Sequence, residues 1–242
     1  MKHLIIVSQQ RSGTHFLNQL IRNDKYHEFG EVFDNERRSS QFMPYFKANL
    51  HTIDSISWSG LYKQLWNGYV EKGLMKVGKD RYSLILMYNQ FGYLPELFLE
   101  FLLSRHMIVH LVRKNVVRRH VSNHINRLKL RPAHHYDQST LVTIDLPVAG
   151  LVEELDSVMA NREGFRQRLS NTSCLEIAYE DLLLEGEDNA INDVAKFAGL
   201  GRGPFISALS RSNPFALKDI LNNFDRVRGT LKGTIYEDML FD

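Results

Sequence analysis

The chain has 242 residues, 43% of them hydrophobic and 24% charged, with 30 basic and 28 acidic side chains and a formal net charge of +2. That length buries a full core and suits one α/β domain over residues 1–242, and the composition excludes collagen-like, disulfide-scaffold and wholly disordered chains. The near-neutral balance excludes the broad field that grips nucleic acid, and Cys174, the single cysteine, excludes an internal disulfide and a thiol-rich metal site.

Leu4 to Val7 is short, apolar and β-branched, and reads as a buried strand. It is too short for a signal-peptide core. No run approaches the roughly eighteen apolar residues that a membrane-spanning helix needs, so cytoplasm is the expected address. A polar loop containing Gly13 follows, then Phe16, Leu17, Leu20 and Ile21 at helical spacing from Thr14 to Arg22. Strand, glycine loop and helix open a parallel βαβ unit.

From Asn23 to Asp80 the pattern is mixed, with Pro44, several aromatics and a helix over Leu61 to Lys72, and this region is expected to shape an acceptor cleft. Trp58, Tyr62 and Trp66, four residues apart, could stack on sugar rings, but their spacing favours a helical core face. Ser83 to Tyr88 reads as a strand, Leu94 to Leu103 as a helix and Met107 to Val112 as a second fully apolar strand. Asn115 is placed to cap a helix carrying Val116, Val117, Val121, Ile125 and Leu128, with Ser122 near its middle.

Arg131 to Val148, with two prolines and the pair His134 and His135, predicts a mobile loop and a candidate lid; Val152 to Leu169 turns helical again. Cys174 to Ala178 is a further strand, and Ile191 to Ala198 a helix stopped by Gly199. This alternation predicts an α/β fold: a P-loop-like parallel sheet flanked by helices on both faces, with ligands at the carboxyl ends of its strands.

The segment Ser8-Gln9-Gln10-Arg11-Ser12-Gly13-Thr14-His15 leaves the first strand and opens a helix, where backbone N–H groups converge on an anion. Arg11 adds a forked, permanently charged donor, Ser12 and Thr14 add hydroxyls, and Gly13 lets the backbone come close. An ordinary βα turn with an exposed arginine uses the same letters. The nucleoside-triphosphate loop Gly-x-x-x-x-Gly-Lys-Ser/Thr is absent, since its first glycine and its lysine are missing.

Arg11-Ser12-Gly13-Thr14 resembles the 5′-phosphosulfate loop of the sulfotransferases, in particular the bacterial carbohydrate branch with nodulation-factor and trehalose-type enzymes. Ile108 to Asn115 followed by Ser122 is similar to that family's strand, arginine and helical serine, which makes Arg113 and Ser122, nine residues apart, the matching 3′-phosphate positions. Ala178-Tyr179-Glu180-Asp181-Leu182 resembles a strand-ending family segment with a structural role, and Asn223 with Leu231-Lys232-Gly233-Thr234 a C-terminal segment that closes over the nucleotide, where Arg228 and Lys232 supply cations. The resemblance implies 3′-phosphoadenosine 5′-phosphosulfate as donor, no metal, and a carbohydrate or other small-molecule hydroxyl as acceptor.

Sulfuryl transfer is in-line, so positioning and charge stabilisation dominate. Arg11 is the candidate for stabilising the departing oxygen and Glu31, twenty residues on and matching a proposed family base, for deprotonating the acceptor. His15 is a weaker donor contact, His134 and His135 weaker acceptor contacts, and His110 inside its apolar strand a satisfied core histidine. Each also has a plainer reading: Glu31 as an exposed acid, Arg113 as an arginine closing a strand, Ser122 as a solvent-facing helix residue, Arg228 and Lys232 as solvated cations. Two other functions fit the same loop, a small-metabolite kinase using ATP and magnesium, and a nucleotide-binding regulator without chemistry. The acceptor and the oligomeric state are not legible.

Overall fold

The computed structural model describes residues 3–21, 26–34, 42–52, 57–128, 141–183, 190–200 and 214–241. In chain order these hold β1 (His3–Ser8), α1 (Thr14–Leu20), β2 (Tyr26–Gly30), α2 (Phe42–Asn49), α3 (Trp58–Val77), β3 (Arg81–Met87), α4 (Glu96–Arg105), β4 (His106–Val112), α5 (Val116–Arg127), α6 (Leu151–Leu169), β5 (Cys174–Ala178), α7 (Ala190–Ala198), α8 (Leu217–Ile220) and α9 (Phe224–Leu231). They form two compact units, Met1–Val112 with Leu169–Ile206, and Arg113–Arg168 with Ser207–Asp242. Among the described residues no helix is long and apolar enough to cross a membrane.

The first unit is built on a sheet whose described strands all run parallel, in the order β2-β3-β1-β4-β5. β1 is fully buried from Leu4 to Ser8, as a central strand covered on both faces requires. One face packs on α1 and α7: Leu4, Ile6, Ile85, Val109 and Ile177 meet Leu17, Leu20, Val194 and Ala198, and Ser83 Oγ on β3 donates to Asn18 Oδ1 on α1 at 3.1 Å. The other face carries Tyr82, whose ring lies 6.0 Å from Trp66 on α3, and His106, whose Nδ1 donates to the Leu102 carbonyl of α4. The α/β expectation with helices on both faces therefore holds.

The chain builds β2 and β3 on one side of β1 and β4 and β5 on the other. The carboxyl end of β1 is thus the point where the winding reverses, the place at which doubly wound sheets open a crevice for ligands.

Two expectations need correction. Residues 23–80 are not irregular throughout: they hold β2, α2 and a helix α3 of 20 residues, longer at both ends than Leu61 to Lys72. Ser57 Oγ accepts from Gly60 N at 3.1 Å to start α3, and Gly78, at φ 62°, ends it. Tyr62 and Trp66 are buried as predicted, but Trp58 is 65% exposed. Where the range of the candidate lid is described it is loop, with Ile144 paired to Leu221 and Ile144 and Leu146 buried in the second unit. The remainder of that range, with His134 and His135, lies outside the described residues, as does Arg22.

The second unit packs α5, α6, α8 and α9 around Val117, Val121, Leu155, Ile220, Val227 and Tyr236. Asn115 caps α5 as predicted, its Oδ1 accepting from Arg118 N at 2.7 Å while Nδ2 donates to the Met239 carbonyl at 2.7 Å.

Candidate active site

The loop after β1 begins tied to the sheet: Ser8 Oγ donates to the Leu111 carbonyl of β4 at 2.6 Å. Arg11 then adopts φ 66°, a left-handed conformation that costs an ordinary residue about 1–2 kcal/mol. Gly13 follows at φ 88° and ψ 22°, and Thr14 starts α1. Two left-handed residues thus flank a buried Ser12 just before α1, at the place where converging N–H groups, an anion nest, are expected from the sequence.

Gly13 is required for a second reason. A Cβ there would run into the ring of Tyr179, 2.6 Å from its Cε2 and closer still to Cδ2. Tyr179 stands at the carboxyl end of β5, and its N–H donates to the Val112 carbonyl at 2.8 Å, which fixes the ring against the loop. The structural role expected of the Tyr-Glu-Asp-Leu segment is thereby located: it braces the loop.

Arg11, His15 and Glu31 come together. His15 Nε2 lies 3.3 Å from Glu31 Oε1, with the imidazole 45% and the carboxylate 25% exposed. Glu31 reaches this position because β2 is irregular between Glu28 and Gly30 and turns at Gly30, φ 67°. Burial pushes the Arg11 guanidinium below its usual value and the Glu31 carboxylate acts to raise it. The Tyr93 hydroxyl donates to the Phe33 carbonyl at 2.6 Å, and burial, with the negative charges of Asp34 and Glu31, pushes it up to about 12. A cation, a carboxylate and an imidazole therefore share the mouth of the loop. The sequence suggested His15 as a donor contact; its described partner is Glu31.

The same edge holds a cluster that the sequence did not single out. His110, on β4 and 1% exposed, bonds through Nε2 to the Tyr88 hydroxyl, while its Nδ1 lies 2.9 Å from Glu176 Oε2 on β5. The expectation of a satisfied histidine holds, with ionisable partners on both ring nitrogens. Among the described residues no group of three or more His, Cys, Asp and Glu side chains is arranged to hold a metal ion.

The second unit carries the other predicted residues. Arg113 follows β4, is half-buried, and its carbonyl accepts from Arg162 Nη1 at 3.4 Å. Ser122 is half-buried on α5, two turns inside the helix. Arg228 is exposed on α9 with its guanidinium 5.6 Å over the Phe241 ring, and Lys232 is exposed at that helix's end. Asn223 clamps Leu146, its Oδ1 accepting from the Leu146 N–H at 3.0 Å and its Nδ2 donating to the Leu146 carbonyl at 2.8 Å.

No protein-family model matches the chain and no curated protein sequence matches it. Among solved structures it is similar to a sulfotransferase domain from the curacin biosynthetic pathway, with a TM-score of 0.52 and 13% identity over 99% of this chain and 83% of that one. At that identity the likeness establishes a shared α/β fold.

Proposed function

We propose that the protein is a sulfotransferase that moves a sulfuryl group from 3′-phosphoadenosine 5′-phosphosulfate to a hydroxyl of a carbohydrate or glycolipid acceptor. The observation that carries the proposal is the Arg11, Glu31 and His15 group at the mouth of the loop after β1, at the winding reversal of a fold shared with a sulfotransferase domain. The nest and Arg11 suit the 5′-phosphosulfate, and Arg11 would stabilise the bridging oxygen as it takes up charge. Ser12, Gly13 and Thr14 complete the cradle. His15 acts through Glu31, holding a carboxylate that would accept the acceptor's proton. Arg113 and Ser122 are proposed for the 3′-phosphate, with Arg228 and Lys232 as further cations toward the nucleotide, and no step requires a metal.

A thermal-shift series with 3′,5′-bisphosphoadenosine, AMP, and ATP with magnesium tests the donor, because a ligand of the native state stabilises it by mass action. The bisphosphate should raise the melting temperature most. A larger shift with ATP and magnesium would replace this reading with a kinase.

A further inference from the structure

At the carboxyl edge of the sheet Tyr88, His110 and Glu176 form a chain across β1. Tyr88 is the first residue after β3, and Ser8 pairs with Met87, so Tyr88 and Gln9 leave neighbouring strands side by side. In the row below, Leu86, Val7, His110 and Glu176 are successive register partners and share one face. The Tyr88 side chain reaches back over β1 to Nε2 of His110, and Glu176 takes up Nδ1. Because Glu176 offers only acceptor oxygens when ionised, Nδ1 carries a hydrogen, and in the neutral imidazole Nε2 accepts the Tyr88 hydroxyl hydrogen. Cys174, two residues before Glu176, also lies near the ring, and burial pushes its thiol up to about 11.

A second tyrosine–histidine pair in the same unit shows what a purely structural arrangement looks like. At the amino edge Tyr82 bonds to His106 Nε2 at 2.6 Å, but His106 Nδ1 ends on the backbone carbonyl of Leu102. A carbonyl fixes a tautomer; a carboxylate also stabilises an imidazolium. The pair backed by a carboxylate is the one beside the phosphate loop, and its tyrosine is half-exposed there.

We infer that Tyr88, backed by His110 and Glu176, is the alternative proton acceptor of the site and receives the proton of the acceptor hydroxyl in place of Glu31, which would then orient that hydroxyl. The inference rests on the sulfuryl-transfer reading. As the acceptor oxygen bonds to sulfur, its proton passes to Tyr88 Oη while the Tyr88 proton moves to His110 Nε2. The bond from sulfur to the nucleotide's phosphate oxygen breaks with its electron pair, releasing the bisphosphate. The imidazolium, paired with Glu176, then returns its proton to water through Tyr88.

The test follows transfer from 3′-phosphoadenosine 5′-phosphosulfate to methyl hexosides and to water as a function of pH, alongside calorimetric affinity for 3′,5′-bisphosphoadenosine. Tyr88→Phe, which deletes one oxygen, should lower turnover on the order of 100-fold or more with bisphosphate affinity unchanged. Glu176→Gln should slow turnover and move the acid limb of the profile to lower pH, since His110 then protonates less readily. A merely structural role would leave that limb in place in Glu176→Gln, and this result, or a Tyr88→Phe enzyme as fast as wild type, overturns the relay alone. Absence of transfer by the wild type overturns the sulfuryl-transfer reading and the relay with it.

Discussion

The ring of Tyr179 fills the volume that any side chain at Gly13 would need, so the end of β5 and the loop after β1 are fitted to each other. Gly13→Ala must push the ring away and also hold alanine at φ 88°, a strain of about 1–3 kcal/mol before the clash is counted. Urea denaturation should show at least that loss, and calorimetry should show weaker binding of 3′,5′-bisphosphoadenosine. Adding Tyr179→Ala removes the overlap but not the strain, so the double variant should regain stability only in part relative to the sum of the single changes.

Glu31 faces both Arg11 and His15. Glu31→Gln keeps the shape and removes the charge, and should slow turnover on the order of 100-fold or more while leaving bisphosphate affinity intact. Steady-state kinetics with a methyl hexoside acceptor reads the first, calorimetry the second. Unchanged turnover would move the proton acceptor away from Glu31.

Much of this arrangement was legible in the chain itself. The run Leu4 to Val7, the glycine loop and the spacing of Phe16, Leu17, Leu20 and Ile21 announce β1, the turn after it and α1 because each is encoded by neighbours in sequence. β2 was not legible: Tyr26-His27-Glu28-Phe29-Gly30 is an edge strand, half-exposed, and lacks the apolar run that marks buried strands. α2 was hidden by Pro44, which falls in its first turn, where the missing N–H has no intrahelical acceptor to lose. Tyr88, His110 and Glu176 are unremarkable in sequence, and only strand register brings them together.

Arg113→Ala probes the second phosphate. If Arg113 holds the 3′-phosphate, the variant should lose most of the thermal-shift preference for 3′,5′-bisphosphoadenosine over AMP, while Lys232→Ala should weaken both ligands alike. Undiminished preference in Arg113→Ala would place the 3′-phosphate on other residues.

Asn115 joins two jobs in one side chain, capping α5 through Oδ1 and holding the Met239 carbonyl through Nδ2. Asn115→Ala should cost about 2 kcal/mol, about 1 for the cap and about 1 for the stranded carbonyl. Asn115→Asp retains the capping oxygen and loses the donor, so chemical denaturation should place it between wild type and alanine.

His106 makes stability depend on pH. It is buried at the amino edge, accepting from Tyr82 at Nε2 and donating to Leu102 from Nδ1, an arrangement that suits the neutral ring. Burial lowers its pKa from 6.5 to about 4, against the opposing hydrogen bond to Leu102. An unfolded chain therefore binds a proton here near pH 6.5, while the native state refuses it until about pH 4. The contribution is fully present above pH 6.5 and is lost as pH falls through that window, amounting to about 3 kcal/mol from a gap of about 2.5 pH units (6.5 less about 4). Burial lowers His3, His27 and His120 as well, so they add loss of the same sign. His106→Gln keeps an acceptor for Tyr82 and removes the titration. Urea unfolding at pH 7, 5.5 and 4.5 should then give a shallower decline in the variant than in wild type, and parallel declines would assign the acid sensitivity to the other three histidines.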